Sequence, residues 1–386
     1  MSHSGGKTKT KTGSGTFRVI PDKLWMGVLL IVMLFLEALF VMSLMAVDVL
    51  PLRYMLLALL ILGALDLAVI LLMNSKDRNG VKGLSGSVIS ILVIMAMVSG
   101  SYLMFNTYDT LAKITGTYHG SSKVTTEPFN VLISGIDSRD DITDDYARSD
   151  VNMIVTVNPN TETILLTSMP RDSYVRLHTA GEMDKLTHTG VYGIEETQAT
   201  IEDWLGIDID YYARVDFKML VNLVDAVGGV RVYNDIDFYS SVKGWHYKKG
   251  WHNMHGTYAL WFVRERKSFE DEDEQRIRNQ QKVMKALLKK VTSSRTLLMH
   301  YGDILNIVED NMQTSFGDEE VTDLVRFQIA RMPKWDIKRQ WVDGVDAYRG
   351  TWTMGPEREL FVSLPKKKSV EKVRRGILDV MYPDEE

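Results

Sequence analysis

Arginine and aspartate recur where short apolar runs stop and start. Asp137 and Arg139 follow the run Phe129–Ile136 in GIDSR, and Arg148 and Asp150 precede the run Val151–Val157 in RSD. Arg171 and Asp172 follow Thr163–Ser168 in MPRD, Arg264 and Arg266 lie in WFVRERK, and Arg276 and Gln280 begin a long amphipathic stretch. In an extended segment Arg264 and Arg266 would point to one face, and Arg276 and Gln280, four apart, share a face on a helix. Guanidinium forks match phosphate oxygens bidentately, so several of them at one sheet edge suit a polyanion. Two carboxylates in the same place repel unless a cation lies between them. A pyrophosphate with Mg2+ satisfies both sets, because magnesium takes one or two carboxylates together with phosphate oxygens. A network of surface salt bridges is the alternative reading of the same residues.

Other chemistries are poorly served. The chain has 386 residues and no cysteine, which removes disulfides, thiolate zinc sites, iron–sulfur clusters and cysteine nucleophiles. It has no G-x-S-x-G elbow and no H-E-x-x-H, and Gly6-Lys7-Thr8 is only the tail of a phosphate-binding loop. His246, His252 and His255 fall within ten residues, but Trp245, Tyr247 and Trp251 share that stretch, which reads as a loop packed by its aromatics. His188, in KLTHTG, stands near the candidate site and suits a supporting role.

The elements that must position these residues alternate. Phe129–Ile136, Val151–Val157 and Thr163–Ser168 are β-branched runs bounded by turn formers, with Asn158-Pro159-Asn160 between the last two. Helical spacing marks Tyr192–Leu205, Phe217–Val227 (stopped by Gly228-Gly229), Asp273–Val291, Thr296–Val308 and Glu319–Ala330. This alternation predicts an α/β body over residues 129–386, a sheet covered by helices, with ligands at the strand ends.

Ahead of the body stand three apolar runs, Leu24–Val47, Tyr54–Met73 and Val88–Phe105, each near the ~20 residues a helix needs to cross a bilayer. Lys7, Lys9, Lys11, Arg18 and Lys23 precede the first, and Lys76, Arg78 and Lys82 separate the second and third. The positive-inside rule therefore makes residues 1–23 a cytoplasmic tail, 24–105 a three-span membrane region, 106–128 an external stalk and everything beyond it extracellular. Residues 1–105 carry nine Lys/Arg against five Asp/Glu, and the remainder 36 against 45. An acidic body of that kind excludes bulk nucleic-acid binding. Glu37 and Asp66 fall inside spans, where each is expected to be protonated and hydrogen-bonded to a neighbouring helix, or to meet a partner.

At this point several segments resemble one family. NVLISGIDSR, RSDVNMIVTVNP, MPRDSYV, KLTHTGVYG, DYYARVDFKMLVNLVDAVGGV, ALWFVRERKSF and RIRNQQKVMKAL are similar, in order and spacing, to the LytR-CpsA-Psr family from about residue 129 to 292. The similarity runs on more weakly through NMQTS and ILDVM. KLTHTGVYG, FVRERKSF and RNQQKV look most like the capsule-type members of streptococci, which also carry three spans. The resemblance implies an extracytoplasmic αβα sandwich with a mixed central sheet. It implies a membrane-tethered transferase that takes an anionic glycopolymer (capsular, exopolysaccharide or teichoic-acid-like) from a polyprenyl pyrophosphate carrier. The polymer would be joined to peptidoglycan by a phosphodiester, with magnesium assisting, the lipid tail in an apolar tunnel and capsule assembly proteins as further partners. On that resemblance the metal-binding acids fall on Asp137 and Asp150, and the pyrophosphate-binding arginines on Arg171, Arg264, Arg266 and Arg276. Arg148 would sit beside the metal and Gln280 on the phosphate, while Asp172 is a candidate base or an arginine partner.

Two departures stand out. The streptococcal capsule proteins place an additional domain where this chain has only residues 106–128, and Asn279 stands where many members have arginine. A pyrophosphatase with water as acceptor, or a lipid-glycan binder that regulates capsule synthesis, would use the same residues.

Overall fold

The structure is a computed structural model and describes residues 23–47, 52–74, 81–115, 123–136, 147–293, 296, 303–304, 306–308 and 312–383. It divides into two compact units, the N-terminal helices and the body that follows them.

The first unit consists of α1 (Lys23–Val47), α2 (Leu52–Met73) and α3 (Val81–Thr115). Each holds a stretch of 21 or 22 residues long and apolar enough to cross a membrane: Leu24–Met45, Leu52–Met73 and Leu84–Met104. Met33, Val69 and Val93 pack inside, while Ile31, Leu60 and Leu71 face outward. An apolar exterior on an apolar interior suits lipid rather than water. Glu37 of α1 is buried, and its Oε1 and the Asp66 Oδ1 of α2 have no hydrogen-bond partner among the described residues. α3 continues through Thr115, into the stretch expected as a stalk with some local structure. The stretch NTYDTLAKIT contains neither Gly nor Pro, so nothing in it breaks the helix before Gly116.

The body opens with β1 (Phe129–Ile136), β2 (Ser149–Asn158) and β3 (Thr163–Met169), then the short pair β4 (Tyr174–Arg176) and β5 (Met183–Lys185). The turn joining β2 to β3 is closed by the Asn158 side chain, which accepts from the amides of Asn160 and Thr161 at 2.9 and 3.1 Å. A 3-10 helix, Leu186–Tyr192, leads into α4 (Ile194–Leu205), followed by β6 (Tyr211–Asp216) and α5 (Phe217–Ala226), which ends at Gly228 and Gly229, both at positive φ. Next come β7 (Val230–Asn234), β8 (Phe238–Tyr239), β9 (His246–Tyr247) and β10 (Gly250–Met254), then α6 (Gly256–Arg264) and α7 (Glu272–Val291). The chain finishes with β11 (Met312–Thr314), α8 (Asp318–Arg331), β12 (Asp336–Trp341), the hairpin β13 (Gly344–Thr351) and β14 (Gly355–Pro365), and α9 (Lys367–Met381). Most of the helix expected over 296–308 lies outside the described residues; Thr296, Asp303, Ile304 and Asn306 to Val308 are helical.

Six strands form the central sheet in the order β11-β6-β1-β2-β3-β12. It is mixed: β1–β6 and β3–β12 are parallel, and β1–β2, β2–β3 and β6–β11 antiparallel. Leu132, Ile154 and Leu165 on one face meet Ile194 and Ile201 of α4 and Val373 and Ile377 of α9. Val131, Val155 and Leu166 on the other face meet Met284 and Leu288 of α7 and Leu324 of α8. Sheets buried on both faces read as near-continuous apolar runs, which is how β1 to β3 read in the sequence. This is the expected αβα sandwich, and the C-terminal ends of β1, β3 and β6 share an edge with the start of β2.

Candidate functional site

The site grows from that edge. Ser149 anchors the start of β2 through hydrogen bonds with Ser134 (2.8 Å) and Asn152 (2.7 Å), which leaves the following residue, Asp150, half-buried at the rim. The 3-10 helix presses on the same spot. A Cβ on Gly190 would stand 2.6 Å from the Ala147 oxygen and 2.7 Å from the Ser149 nitrogen, so only glycine permits this approach. The approach brings the Thr187 hydroxyl to 3.4 Å from Asp150 Oδ1.

Arg171 follows β3, and its Nη1 donates to Asp150 Oδ1 at 2.9 Å while Nε lies 3.5 Å from Asp172 Oδ2. Burial lowers the Arg171 pKa, but Asp150 and Asp172 outweigh it and hold the guanidinium charged more firmly than usual. Asp172 is only 5% exposed, and its Oδ1 meets Lys185 Nζ at 2.6 Å. Burial would push its carboxyl up, yet Lys185 and Arg171 hold it below the ordinary carboxylate range.

The remaining arginines come from the helices. WFVRERK is not extended throughout, as the same-face argument required: Trp261 to Arg264 close α6, and the chain becomes extended at Glu265. The correction has a local cause. His255 caps the helix by accepting from the Tyr258 amide, and Ala259, Phe262 and Val263 form a helical apolar stripe into the core. Arg264 and Arg266 still line one cavity, because a helix end followed by one extended residue turns both toward it. Arg264 lies over the Phe217 ring at 4.6 Å and the Trp261 ring at 5.4 Å. Between the two arginines, buried Glu265 accepts from the Ser241 amide (2.7 Å) and from the Arg266 amide (3.1 Å), tying this segment down. On α7, Arg276 and Gln280 share the expected face, and Arg276 Nη2 donates to Asp273 Oδ2 at 3.0 Å.

The result is a cavity of about 210 Å3 lined by Arg171, Arg264, Arg266, Arg276 and Gln280, with Asp150 at its rim. Burial and the neighbouring Arg171 and Arg266 lower the pKa of Arg276, while Asp273 and Asp172 counter them. The lining holds four guanidiniums and one carboxylate, Asp150, while Arg266 also reaches Glu272 and Asp273 at 3.7 Å, so the cavity suits a small, multiply charged anion that competes with those acids for the arginines. Arg148 does not join them. It is exposed and lines a second cavity of the same size with Asp150, Arg171, Lys185 and His188. Asp137 and Arg139 lie outside the described residues.

Asp150 alone is left to judge a metal. Its Oδ1 is engaged by Arg171 and Thr187, and the residue lines both cavities. One carboxylate together with substrate phosphate oxygens makes an oxygen donor set of the kind magnesium uses. The three histidines of the aromatic stretch are employed otherwise: His246 pairs with Asp237 at 2.6 Å, His252 meets the Lys248 carbonyl and His255 caps α6. The stretch is also more ordered than a loop, since β9 and β10 run through it. Lys185, Asp273, Glu265 and Arg358 were not singled out from the sequence. Only the acid run Glu270 to Glu274, which leads into the first turn of α7, carried a signal, as a helix-start pattern.

Comparison with known proteins follows the same segments. A sequence model of the LytR_cpsA_psr family matches residues 101–367. A relative from Bacillus mycoides, named polyisoprenyl-teichoic acid–peptidoglycan teichoic acid transferase TagU, is 33% identical over 253 residues, covering 61% of this chain and 80% of its own. The crystal structure of Bacillus subtilis TagV is 28% identical and superposes with a TM-score of 0.54, covering 66% of this chain and 97% of that one. A Streptococcus agalactiae protein of known structure is 27% identical with a TM-score of 0.58, covering 68% and 91%.

Proposed function

Since the chain belongs to the LytR-CpsA-Psr family, we propose that it is a cell-envelope phosphotransferase that moves an anionic glycopolymer from a polyprenyl pyrophosphate carrier onto peptidoglycan. The observation that carries this reading is the convergence of Arg171, Arg264, Arg266 and Arg276 on one small cavity beside Asp150. A pyrophosphate fits that cavity in charge, and the guanidiniums are already in place before substrate arrives, so charge developing on the departing polyprenyl phosphate meets fixed donors. Gln280 adds an amide beside Arg276. Positioning supplies much of the rate, because phosphoryl transfer leaves a protein little covalent work. The Asp150 carboxylate, joined by Asp137, would hold magnesium, which when bound would neutralise phosphate charge and polarise the phosphorus.

The three apolar helices suit such a substrate, since a lipid-borne donor is met at the membrane surface. The N-terminus is assigned to the cytoplasm and the body to the outside by the basic residues flanking α1 and those between α2 and α3. Relatives named for teichoic acid favour a polymer of that anionic kind; the capsule-like segments extend the class to capsular polysaccharide. The test is wall attachment of the polymer in cells carrying Arg266→Ala, with paralogues removed and protein abundance measured alongside. Shedding of polymer into the medium at normal protein level is expected. Normal attachment would overturn the reading in favour of a lipid-glycan binder, and release of free polymer with a terminal phosphate by the wild type would favour a pyrophosphatase.

A further inference from the structure

His188 is 2% exposed, and its Nδ1 lies 2.6 Å from Asp184 Oδ1. Asp184 is fully buried and also accepts from the Thr353 amide at 2.8 Å. Burial alone would raise its pKa, but the hydrogen bonds from His188 and Thr353 outweigh it and hold the carboxyl below the ordinary range. A charged acceptor on Nδ1 keeps the ring proton there and leaves the lone pair on Nε2. Nε2 is hydrogen-bonded to no described residue, and the ring lines the second cavity of about 210 Å3.

That cavity has a definite relation to the arginine cavity. The two share Asp150 and Arg171 and are otherwise walled by different elements. The arginine cavity is built by α5, α6 and α7; the second is built by the 3-10 helix and the β13–β14 hairpin, through Thr187, His188, Met354, Arg358 and Leu360. In-line displacement at phosphorus puts the attacking and leaving oxygens on opposite sides. A pyrophosphate among the arginines would bring its reacting phosphorus to Asp150 and Arg171, and the second cavity then opens on the side of attack. Asp172, the carboxylate singled out from sequence as a candidate base, has Oδ1 on Lys185 and Oδ2 beside Arg171.

We propose, resting on the transferase reading above, that this second cavity is the acceptor subsite and takes a sugar hydroxyl of peptidoglycan. His188 removes the proton, and Asp184 is its positioning residue. The hydroxyl oxygen forms a bond to the phosphorus that carries the glycopolymer, and its proton moves to His188 Nε2. The bond from that phosphorus to the bridging oxygen breaks, and the electron pair leaves on polyprenyl phosphate, held by the arginines. His188 then returns its proton to water. Arg148 and Arg358, both exposed at the mouth, suit the acidic substituents of a peptidoglycan strand. Among the described residues, the charged groups around the ring and its cavity are Asp184 and Lys185 from its own approach, Asp150 and Arg148 from the start of β2, Arg171 and Asp172 after β3, and Arg358 from β14. The Thr187 hydroxyl, one residue before the ring, is the described contact of this helix with Asp150.

The experiment uses the full chain in nanodiscs, with a polyprenyl-pyrophosphate-linked glycan as donor and uncrosslinked peptidoglycan strands as acceptor. Undecaprenyl diphosphate is the binding probe for the arginine cavity. His188→Gln is expected to lower kcat by ~100-fold or more, in the range of general acid–base catalysis. It should leave the donor KM and the undecaprenyl diphosphate affinity within about twofold, since the imidazole does not touch the arginine cavity. Arg358→Ala, an exposed change that leaves the core intact, is expected to raise the acceptor KM with the donor KM unchanged. A His188→Gln protein that keeps the wild-type rate, or that loses probe binding as much as turnover, overturns the base assignment. An unchanged acceptor KM in Arg358→Ala overturns the subsite. Wild-type protein that binds the probe but transfers nothing to peptidoglycan removes the transferase reading itself, and the inference with it.

Discussion

Arg276 shows what a single side chain must reconcile in this site. It is 8% exposed, its Nη2 holds Asp273 at 3.0 Å, and its Nε has no partner among the described residues. A buried guanidinium with an unspent donor costs stability by itself, and its lowered pKa records that burial. An anion in the cavity would satisfy the donor. Arg276→Lys keeps one positive charge but loses the planar fork, and charge-assisted hydrogen bonds are each worth ~1.5–3 kcal/mol. Affinity for a pyrophosphate lipid is therefore expected to fall by roughly 10- to 100-fold in Arg276→Lys, measured by titration with undecaprenyl diphosphate. Binding equal to wild type would show that Arg276 serves only Asp273. Arg276 and Gln280 were legible in the sequence because an interval of four on a helix places two residues together whatever surrounds them. Lys185 and Asp184 were not, since their roles depend on Asp172 and His188 lying beside them in space.

At the scale of elements, the two arginines of WFVRERK are placed by the packing of α6 on α5. Gly256 is the first residue of α6, and a Cβ there would stand 2.1 Å from the Val221 carbonyl oxygen of α5. The Gly256 amide also donates to Asp225 at 2.7 Å. That close approach is what lets Arg264, at the other end of α6, lie over Phe217, at the start of α5. Gly256→Ala must separate the helices, and overpacking of this kind costs ~1–3 kcal/mol. The thermal midpoint is expected to drop by roughly 3–10 °C for a body of this size, read by circular dichroism. A midpoint within 1 °C of wild type would mean that the helices slide apart freely and do not set the arginine geometry. The helical stripe of α6 is present in the sequence as Ala259, Phe262 and Val263, but two arginines at alternate positions read equally well as extended. Packing into the core decided between them.

The whole molecule joins an apolar three-helix unit to an acidic body, and its charge pattern predicts the sides of the membrane on which its parts lie. The absence of cysteine makes this directly measurable, because any introduced thiol is the only one present. A membrane-impermeant maleimide is expected to label Lys368→Cys, exposed on α9, in intact cells. It should reach Ser14→Cys, ahead of α1, only after permeabilisation. The reverse pattern would place the body in the cytoplasm and separate it from peptidoglycan.

The amino-acid order alone determined the apolar spans, the three leading strands, the alternation that makes an αβα sandwich and the edge at which Asp150 and Arg171 meet. These follow from periodicity and from local stops, which short-range sterics and burial impose on any surroundings. Tertiary structure decided which charges share a cavity. Arg148 parts from the other arginines, and Asp172 is consumed by Lys185 and Arg171. It also brought Asp184 of β5, His188 of the 3-10 helix and Thr353 of the β13–β14 turn to one point. Such meetings depend on sheet order and on how closely backbones approach, as at Gly190, and neither is written in the spacing of residues along the chain.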